Sequence, residues 1–176
     1  MAEGENTEPQ YFRGLARELR ATGVEIFRLS VEGIGRDPAR VVRRAAAAMS
    51  EVAAGSEYDH VWCVVDVDDH ETLGEALREA KRLAIRIAIS NPCFELWILW
   101  HFLDHRAHIG KRALEEKLKR LGLVGKNLPA NFPYENYLSA IKRGEVRASG
   151  DEYRVPDNPA STVYRLARLL ASGAAG

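Results

Sequence analysis

The sequence predicts an α/β fold: a mostly parallel sheet flanked by helices, continuing into a helical C-terminal portion. Three observations predict it. The run Val61-Trp62-Cys63-Val64-Val65-Asp66-Val67 is built of strand formers without polar alternation, the pattern of a strand buried on both faces of a parallel sheet. Strand-like and helix-like segments alternate as far as residue 103. Beyond it only helical patterns follow, as expected for helices added to an α/β core. At 176 residues the chain has the length of one domain. Residues 1–105 are predicted as the α/β core and residues 106–176 as a helical portion packed on the same domain.

Each element has a local reason. Residues 7–19 read as a helix with Thr7 as N-cap, Glu8-Pro9 in the first turn and an apolar stripe of Phe12, Leu15, Ala16 and Leu19. Residues 24–29 read as a strand, and Gly33 and Gly35 mark a loop. Asp37 caps a second helix that opens at Pro38 and runs past Met49. The strand at 61–67 follows. A helix from 71 to about 83 carries Leu73, Ala76, Leu77 and Ala80 on one face. Residues 85–89 alternate as a short strand. Asn91 as N-cap and Pro92 at the first position open an apolar helix to about residue 103. Further helices are predicted at 111–121, at 134–142, and from Asp157 or Asn158 with Pro159 through Leu170. The small-residue tail 172–176 reads as frayed.

Composition excludes several classes. No apolar run reaches the ~20 residues needed to span a bilayer; the densest, 92–103, contains Glu95 and His101. The acidic N-terminus has no apolar core segment of a secretory signal. Cys63 and Cys93 lie in apolar surroundings without metal-type spacing, which reads as reduced thiols in a cytoplasmic protein. The formal net charge is zero, yet residues 1–80 hold 16 acids against 9 bases and residues 106–154 hold 11 bases against 6 acids. Such an asymmetry suits a cation site beside an anion site, or two ordinary solvated faces.

Chemistry concentrates in three acidic pieces. Asp66, Asp68 and Asp69 fall at the C-terminal end of the 61–67 strand, where open α/β sheets bind ligands. Asp66 and Asp68 are two apart and point the same way on continued strand geometry. Two like charges on one face are costly unless a cation sits between them. Mg²⁺ accepts one or two carboxylates, with waters or phosphates completing its shell. Asp69 fits a turn or a helix cap better. Glu3, Glu5 and Glu8 flank Gly4, which permits a tight turn ahead of the first helix; alone, this stretch also reads as a solvated tail. Glu95 stands one turn into an apolar helix, either as an acid at the positive helix end or as a further acid directed at the metal site. His101 reads as a boundary histidine, since no second ligand has partner spacing.

A basic set comprises Lys111, Arg112, Lys117, Lys119, Arg120 and Lys126, then Lys142, Arg143 and Arg147, with Tyr134 and Tyr137 between. Basic residues interleaved with aromatics can follow a phosphate backbone and stack bases, and amphipathic solvated helices look the same. No Gly-x-x-x-x-Gly-Lys-Ser/Thr loop is present, so the chain is not expected to be a P-loop ATPase. Neither a Gly-x-Ser-x-Gly elbow nor a cysteine-nucleophile motif occurs.

Four motifs, in this order, resemble the RloB-like family: Glu3-Gly4-Glu5-Asn6-Thr7-Glu8-Pro9-Gln10-Tyr11-Phe12, Asp66-Val67-Asp68-Asp69, Ser90-Asn91-Pro92-Cys93-Phe94-Glu95-Leu96-Trp97, and Asn158-Pro159-Ala160-Ser161-Thr162-Val163. The last carries one residue more than the family's pattern. The resemblance covers nearly the whole chain. It implies a Toprim-like domain related to nucleases of the overcoming-lysogenization-defect group. By that resemblance Glu3 is the first metal-binding acid, Asp66 and Asp68 are the pair, and Glu8 is similar to a second glutamate of the related nucleases, whose spacing is one residue shorter. A hydrophobic strand is implied ahead of Glu3, of which this sequence holds Met1-Ala2.

The function so implied is a Mg²⁺- or Mn²⁺-dependent nuclease hydrolysing phosphodiesters of DNA or RNA in bacterial anti-phage defence. Glu3, Glu8, Asp66 and Asp68 would bind metal, with Glu95 or a water held by Glu3 as general base. The implied partners are nucleic acid and a separate ATPase of the AAA or ABC type, with no membrane and with room for an oligomer. Two alternatives stand beside it. One is a non-catalytic nucleic-acid- or nucleotide-binding regulatory subunit of that ATPase. The other is a phosphatase or nucleotidyl transferase using the same acids on a small substrate.

Overall fold

A computed structural model describes residues 1–2, 6–23, 37–51, 59–67, 72–125, 127–148 and 150–173. The predicted strand at 24–29, the loop glycines 33 and 35, Glu3, Asp68, Asp69 and Lys126 lie outside these residues. Over the described residues the chain is α/β, with a small mixed three-stranded sheet flanked by helices.

Helix α1 (Thr7–Ala21) buries Tyr11, Phe12, Leu15 and Leu19 along one stripe, the 3–4 spacing of an amphipathic helix. Its N-cap is Asn6, which makes no side-chain cap bond. Thr7, expected as the cap, is the first helical residue instead. Thr22 Oγ1 donates to the Leu19 carbonyl at 2.9 Å, and Gly23 at φ +91° supplies the left-handed turn that commonly ends a helix. Helix α2 (Pro38–Glu51) starts as predicted. Asp37 Oδ1 accepts the Ala39 N–H at 3.0 Å and the Thr72 hydroxyl at 2.8 Å. The cap thus also ties α2 to α3 (Leu73–Arg82).

Strand β1 (Trp62–Asp66) pairs in parallel with β2 (Arg86–Asn91), in a register that sets Val64 opposite Ala88 and Asp66 opposite Ser90. Strand β3 (Ala160–Ser161) pairs antiparallel with the end of β2. The sheet is therefore mixed rather than mostly parallel. Its antiparallel member comes from the C-terminal portion, where only helices were expected. On its other edge β1 meets the N-terminus. Ala2 bridges Val64 in parallel, Val64 N–H donates to the Met1 carbonyl at 2.9 Å, and the Met1 amine donates to the Trp62 carbonyl at 2.6 Å.

The loop after β2 departs most from the predicted pattern. Asn91 does not cap a helix: it is the last residue of β2, opposite Ala160, and its side-chain amide donates to the Pro156 carbonyl at 2.8 Å. Pairing claims this residue before the helix can, so α4 (Glu95–Leu99) is a single short segment. The Asn91–Pro92 and Asn158–Pro159 peptides are both cis. Helix α5 (Lys111–Arg120) matches its prediction. A 3₁₀ turn (Tyr134–Asn136) leads into α6 (Tyr137–Arg147). Helix α7 (Val163–Ala171) starts after β3, later than Pro159, because Ala160 and Ser161 are spent on the sheet.

Alternation along β1 and β2 divides the core. Trp62, Val64 and Ala88 face one hydrophobic cluster, with Tyr11, Phe12, Phe94, Trp97, Trp100 and Phe132. Cys63, Val65, Ile87 and Ile89 face the other, with Val41, Val42, Ala45, Ala76 and Ala80 of α2 and α3.

Candidate functional site

Asp66 closes β1 on the same parity as Trp62 and Val64, so its side chain leaves the sheet toward the aromatic face. That face is covered by the segment that leaves β2, through Pro92, Cys93, Phe94 and α4. The parallel register puts Asp66 beside Ser90, one residue before that turn. The Val67 N–H donates to the Ser90 carbonyl at 2.9 Å, so pairing persists to the end of the strand. Ser90 is itself held from the other side by Ser161 Oγ at 2.9 Å. Ile89 N–H donates to Thr162 Oγ1 at 2.7 Å, and the Thr162 N–H returns a bond to the Ile89 carbonyl at 2.9 Å. Ser90, Ser161 and Thr162 are all buried. Their mutual bonding satisfies the hydroxyls and fixes the strand end that delivers Cys93 and Glu95.

The result is a cluster in which ligand atoms of Asp66, Cys93 and Glu95 lie within 4.8 Å of one another. Glu95 opens α4. The two sequence readings of it, helix-end acid and site acid, are therefore compatible: it is in the first turn and it meets Asp66. Cys93 is the member that sequence reasoning missed. Its expected apolar surroundings are half correct. It is buried at 1% exposure, yet it sits between carboxylates. Burial, then the negative charges of Glu95 and Asp66, push its thiol well above the ordinary range. It stays protonated and bonds to Glu95. The one available signal was its position, two residues before Glu95. Cys63 is more conventional. Burial on the aliphatic face raises its thiol to about 11, and both cysteines are free.

Glu8 lies in the first turn of α1 at 6% exposure and is not in the Asp66 cluster. Glu3 and Asp68 lie outside the described residues. Ala2, immediately before Glu3, bridges Val64, two residues before Asp66.

His101 is a core residue, not a boundary one. Its Nδ1–H donates to the Trp97 carbonyl at 3.1 Å, and its Nε2 accepts the Tyr11 hydroxyl at 3.2 Å. Burial lowers its pKa to about 4, so it is neutral and fully used. The basic set divides as well. Helix α5 buries only Leu114 and Leu118, which leaves Lys111, Arg112, Lys119 and Arg120 exposed. On α6, Arg147 instead pairs with Asp104 at 2.9 Å and lies 5.7 Å from the Trp100 ring centre. Arg143 donates to the Trp100 carbonyl. These two guanidinium groups brace the 100–104 turn. Tyr134 is equally occupied, packing on Gly14 and reaching the Gln10 carbonyl at 3.5 Å.

No helix among the described residues is long and apolar enough to cross a membrane. A family model described as RloB-like protein matches residues 1–170. No curated protein and no solved structure matches the chain.

Proposed function

The chain belongs to the RloB-like family, and from that premise we propose that it is a Mg²⁺- or Mn²⁺-dependent nuclease with a Toprim-like catalytic core, acting in anti-phage defence beside a separate ATPase of the AAA or ABC type. The observation that carries the reading is the meeting of Asp66 and Glu95 at the C-terminal end of a parallel strand pair, the end at which α/β sheets bind ligands.

The donor set suits a hard cation. Asp66 offers carboxylate oxygens, the ligands Mg²⁺ and Mn²⁺ take, and Glu95 lies beside it. The buried Cys93 thiol lies beside them and bonds to Glu95, which orients that carboxylate. Asp66 would hold the ion, with Glu3, Glu8 and Asp68 as the further proposed ligands. When bound, such an ion polarises a phosphodiester and makes water a better nucleophile. The chain's own side chains do the rest. Glu95 takes the proton of the attacking water. Phe94 and Trp97, either side of it in sequence, are buried in the aromatic cluster. The exposed cations of α5 hold the nucleic-acid backbone. Self-association is compatible with the reading and is not required by it.

Cleavage of labelled DNA and RNA is the test, in Mg²⁺, in Mn²⁺ and in EDTA, with and without the ATPase. Activity should need the divalent ion, and Asp66→Ala should lower it by at least about 100-fold. A wild-type protein that cuts neither polymer, or an Asp66→Ala variant that cuts normally, sinks the proposal. Retained nucleic-acid binding without cleavage in the wild type would favour a regulatory subunit instead. Hydrolysis of free nucleotides in place of the polymers would favour a phosphatase or nucleotidyl transferase.

A further inference from the structure

The C-terminal motif Asn158-Pro159-Ala160-Ser161-Thr162 supplies none of the proposed site acids, yet its side chains grip three consecutive residues of β2. Asn158 Nδ2 donates to Asn91 Oδ1 at 3.2 Å. Ser161 Oγ lies 2.9 Å from Ser90 Oγ. Thr162 Oγ1 accepts the Ile89 N–H at 2.7 Å. Asn158 is itself tied down: its Oδ1 accepts the Ile109 N–H and its Nδ2 donates to the Ile109 carbonyl, both at 2.9 Å. This two-way bond to one residue's backbone leaves a single orientation for the amide, since a flipped group would face donor with donor and acceptor with acceptor.

Backbone pairing alone supports this contact thinly. Strand β3 is two residues long and meets β2 with Ser161 opposite Ser90 and Ala160 opposite Asn91. So short a strand has little register of its own, and a slip of one residue would exchange the sides of its side chains. The three side-chain bonds fix what the backbone leaves loose. They are also costly choices for a core: Ser90 and Ser161 are fully buried, where two alanines would need no partner. What they hold is the strand end of the site. Directly paired residues of neighbouring strands point to the same side of a sheet. Asp66 pairs with Ser90 and Ser90 with Ser161, so the three stand in one row across β1, β2 and β3. Residues 92–94 form no regular element between β2 and α4. The direction in which the chain leaves β2 therefore sets where Cys93 and Glu95 meet Asp66.

We propose that Ser161 is a positioning residue of the site: together with Asn158 and Thr162 it clamps the end of β2, so that the 91–95 segment holds Glu95 against Asp66. The inference rests on the nuclease reading, in which Asp66 holds the ion and Glu95 takes the proton of the attacking water. Ser161 acts through Ser90, and its contribution is geometric. A general base displaced by about 1 Å from its water loses much of its effect, so a loosened clamp lowers turnover while the fold persists.

The two free, buried cysteines make the test local. Cys93 lies in the segment the clamp holds, and Cys63 lies on the aliphatic face. Iodoacetamide labelling of each thiol in the full chain without metal, read by mass spectrometry, reports opening at the two places separately. Cleavage of labelled DNA and RNA in Mg²⁺ at saturating substrate and urea unfolding are followed in parallel. Ser161→Ala should speed labelling of Cys93 roughly tenfold, the equilibrium effect of one lost hydrogen bond on local opening, with Cys63 unchanged. It should lower cleavage by about tenfold as well. Ser161→Thr, which keeps the hydroxyl, should restore both. Ser90→Ala with Ser161→Ala removes both hydroxyls and leaves neither unpaired, so its stability should recover toward wild type while Cys93 stays reactive and cleavage stays low. That double variant carries the test should the single alanine fail to fold. Equal acceleration at Cys63 and Cys93 would mean general destabilisation and overturns the positioning role. A double variant that cuts like wild type overturns it too, and both results leave the nuclease reading intact. A wild-type chain that cuts neither polymer overturns the nuclease reading and the catalytic positioning with it, whatever the thiols show.

Discussion

The two faces of the β1–β2 pair are built differently, and one of them carries the candidate site. One face is aliphatic. Cys63, Val65, Ile87 and Ile89 meet Val41, Val42, Ala45, Ala76 and Ala80, small side chains that let α2 and α3 lie close to the sheet. The other is aromatic. Tyr11, Phe94, Trp97, Trp100 and Phe132 converge there, Tyr11 meeting Phe94 at 5.7 Å and Trp97 at 6.1 Å edge-on. Ala88 is the small residue that makes room for them. Large rings leave polar edges to satisfy, and this face accordingly buries a polar pair, His101 with the Tyr11 hydroxyl. Asp66, Cys93 and Glu95 lie on this same side. The aliphatic face holds the sheet; the aromatic face holds the sheet and also shapes the site.

Four measurements would break or sharpen this contrast. The largest effect is expected from Trp97→Ala. Its side chain is fully buried against Tyr11 and His101, and the change should cost about 3–5 kcal/mol in urea unfolding. A cost below 1 kcal/mol would show that the aromatic cluster is not the keystone of its face. Next is pH. Burial depresses His101 from 6.5 to about 4 in the folded chain, so the unfolded chain binds more protons between those values. Stability should fall as pH drops from about 6.5 to about 4, by up to about 3 kcal/mol, and this contribution should be constant above and below that window. His101→Phe should flatten that slope; an unchanged slope would place the titration elsewhere.

Third, Ala88→Leu should overpack the aromatic face and cost about 2 kcal/mol. Near-neutrality would mean that the rings have room to spare. The smallest effect is expected on the aliphatic face. Ile87→Val deletes one methylene and should cost about 1 kcal/mol, and under the proposed nuclease reading cleavage should be unchanged, since Ile87 faces the aliphatic cluster. Loss of cleavage there would erase the functional distinction between the faces.

How much of this was legible in the sequence follows from the range of each signal. The apolar strand at 61–67, the Asp37 cap and the stripe of α3 were readable because each is set within one or two turns of chain. The 91–103 segment was misread for the complementary reason. Asn-Pro before an apolar run is a strong local helix signal, but Asn91 is taken by Ala160, 69 residues away in sequence. No local pattern marks a two-residue strand such as β3. His101 and Arg147 likewise read as exposed or ambiguous, since their partners Tyr11 and Asp104 come from other segments.

The site divides along the same line. By itself the sequence determined that Asp66 ends a buried strand and that Glu95 is out of place among apolar neighbours, because hydrophobic patterning exposes every charge that interrupts it. Only the tertiary structure decided that the two carboxylates meet, that the Cys93 thiol lies with them, and that Asn158 ties Asn91, at the end of β2, to Ile109. Those facts depend on parallel register and on bonds spanning tens of residues, which no spacing along one chain can encode.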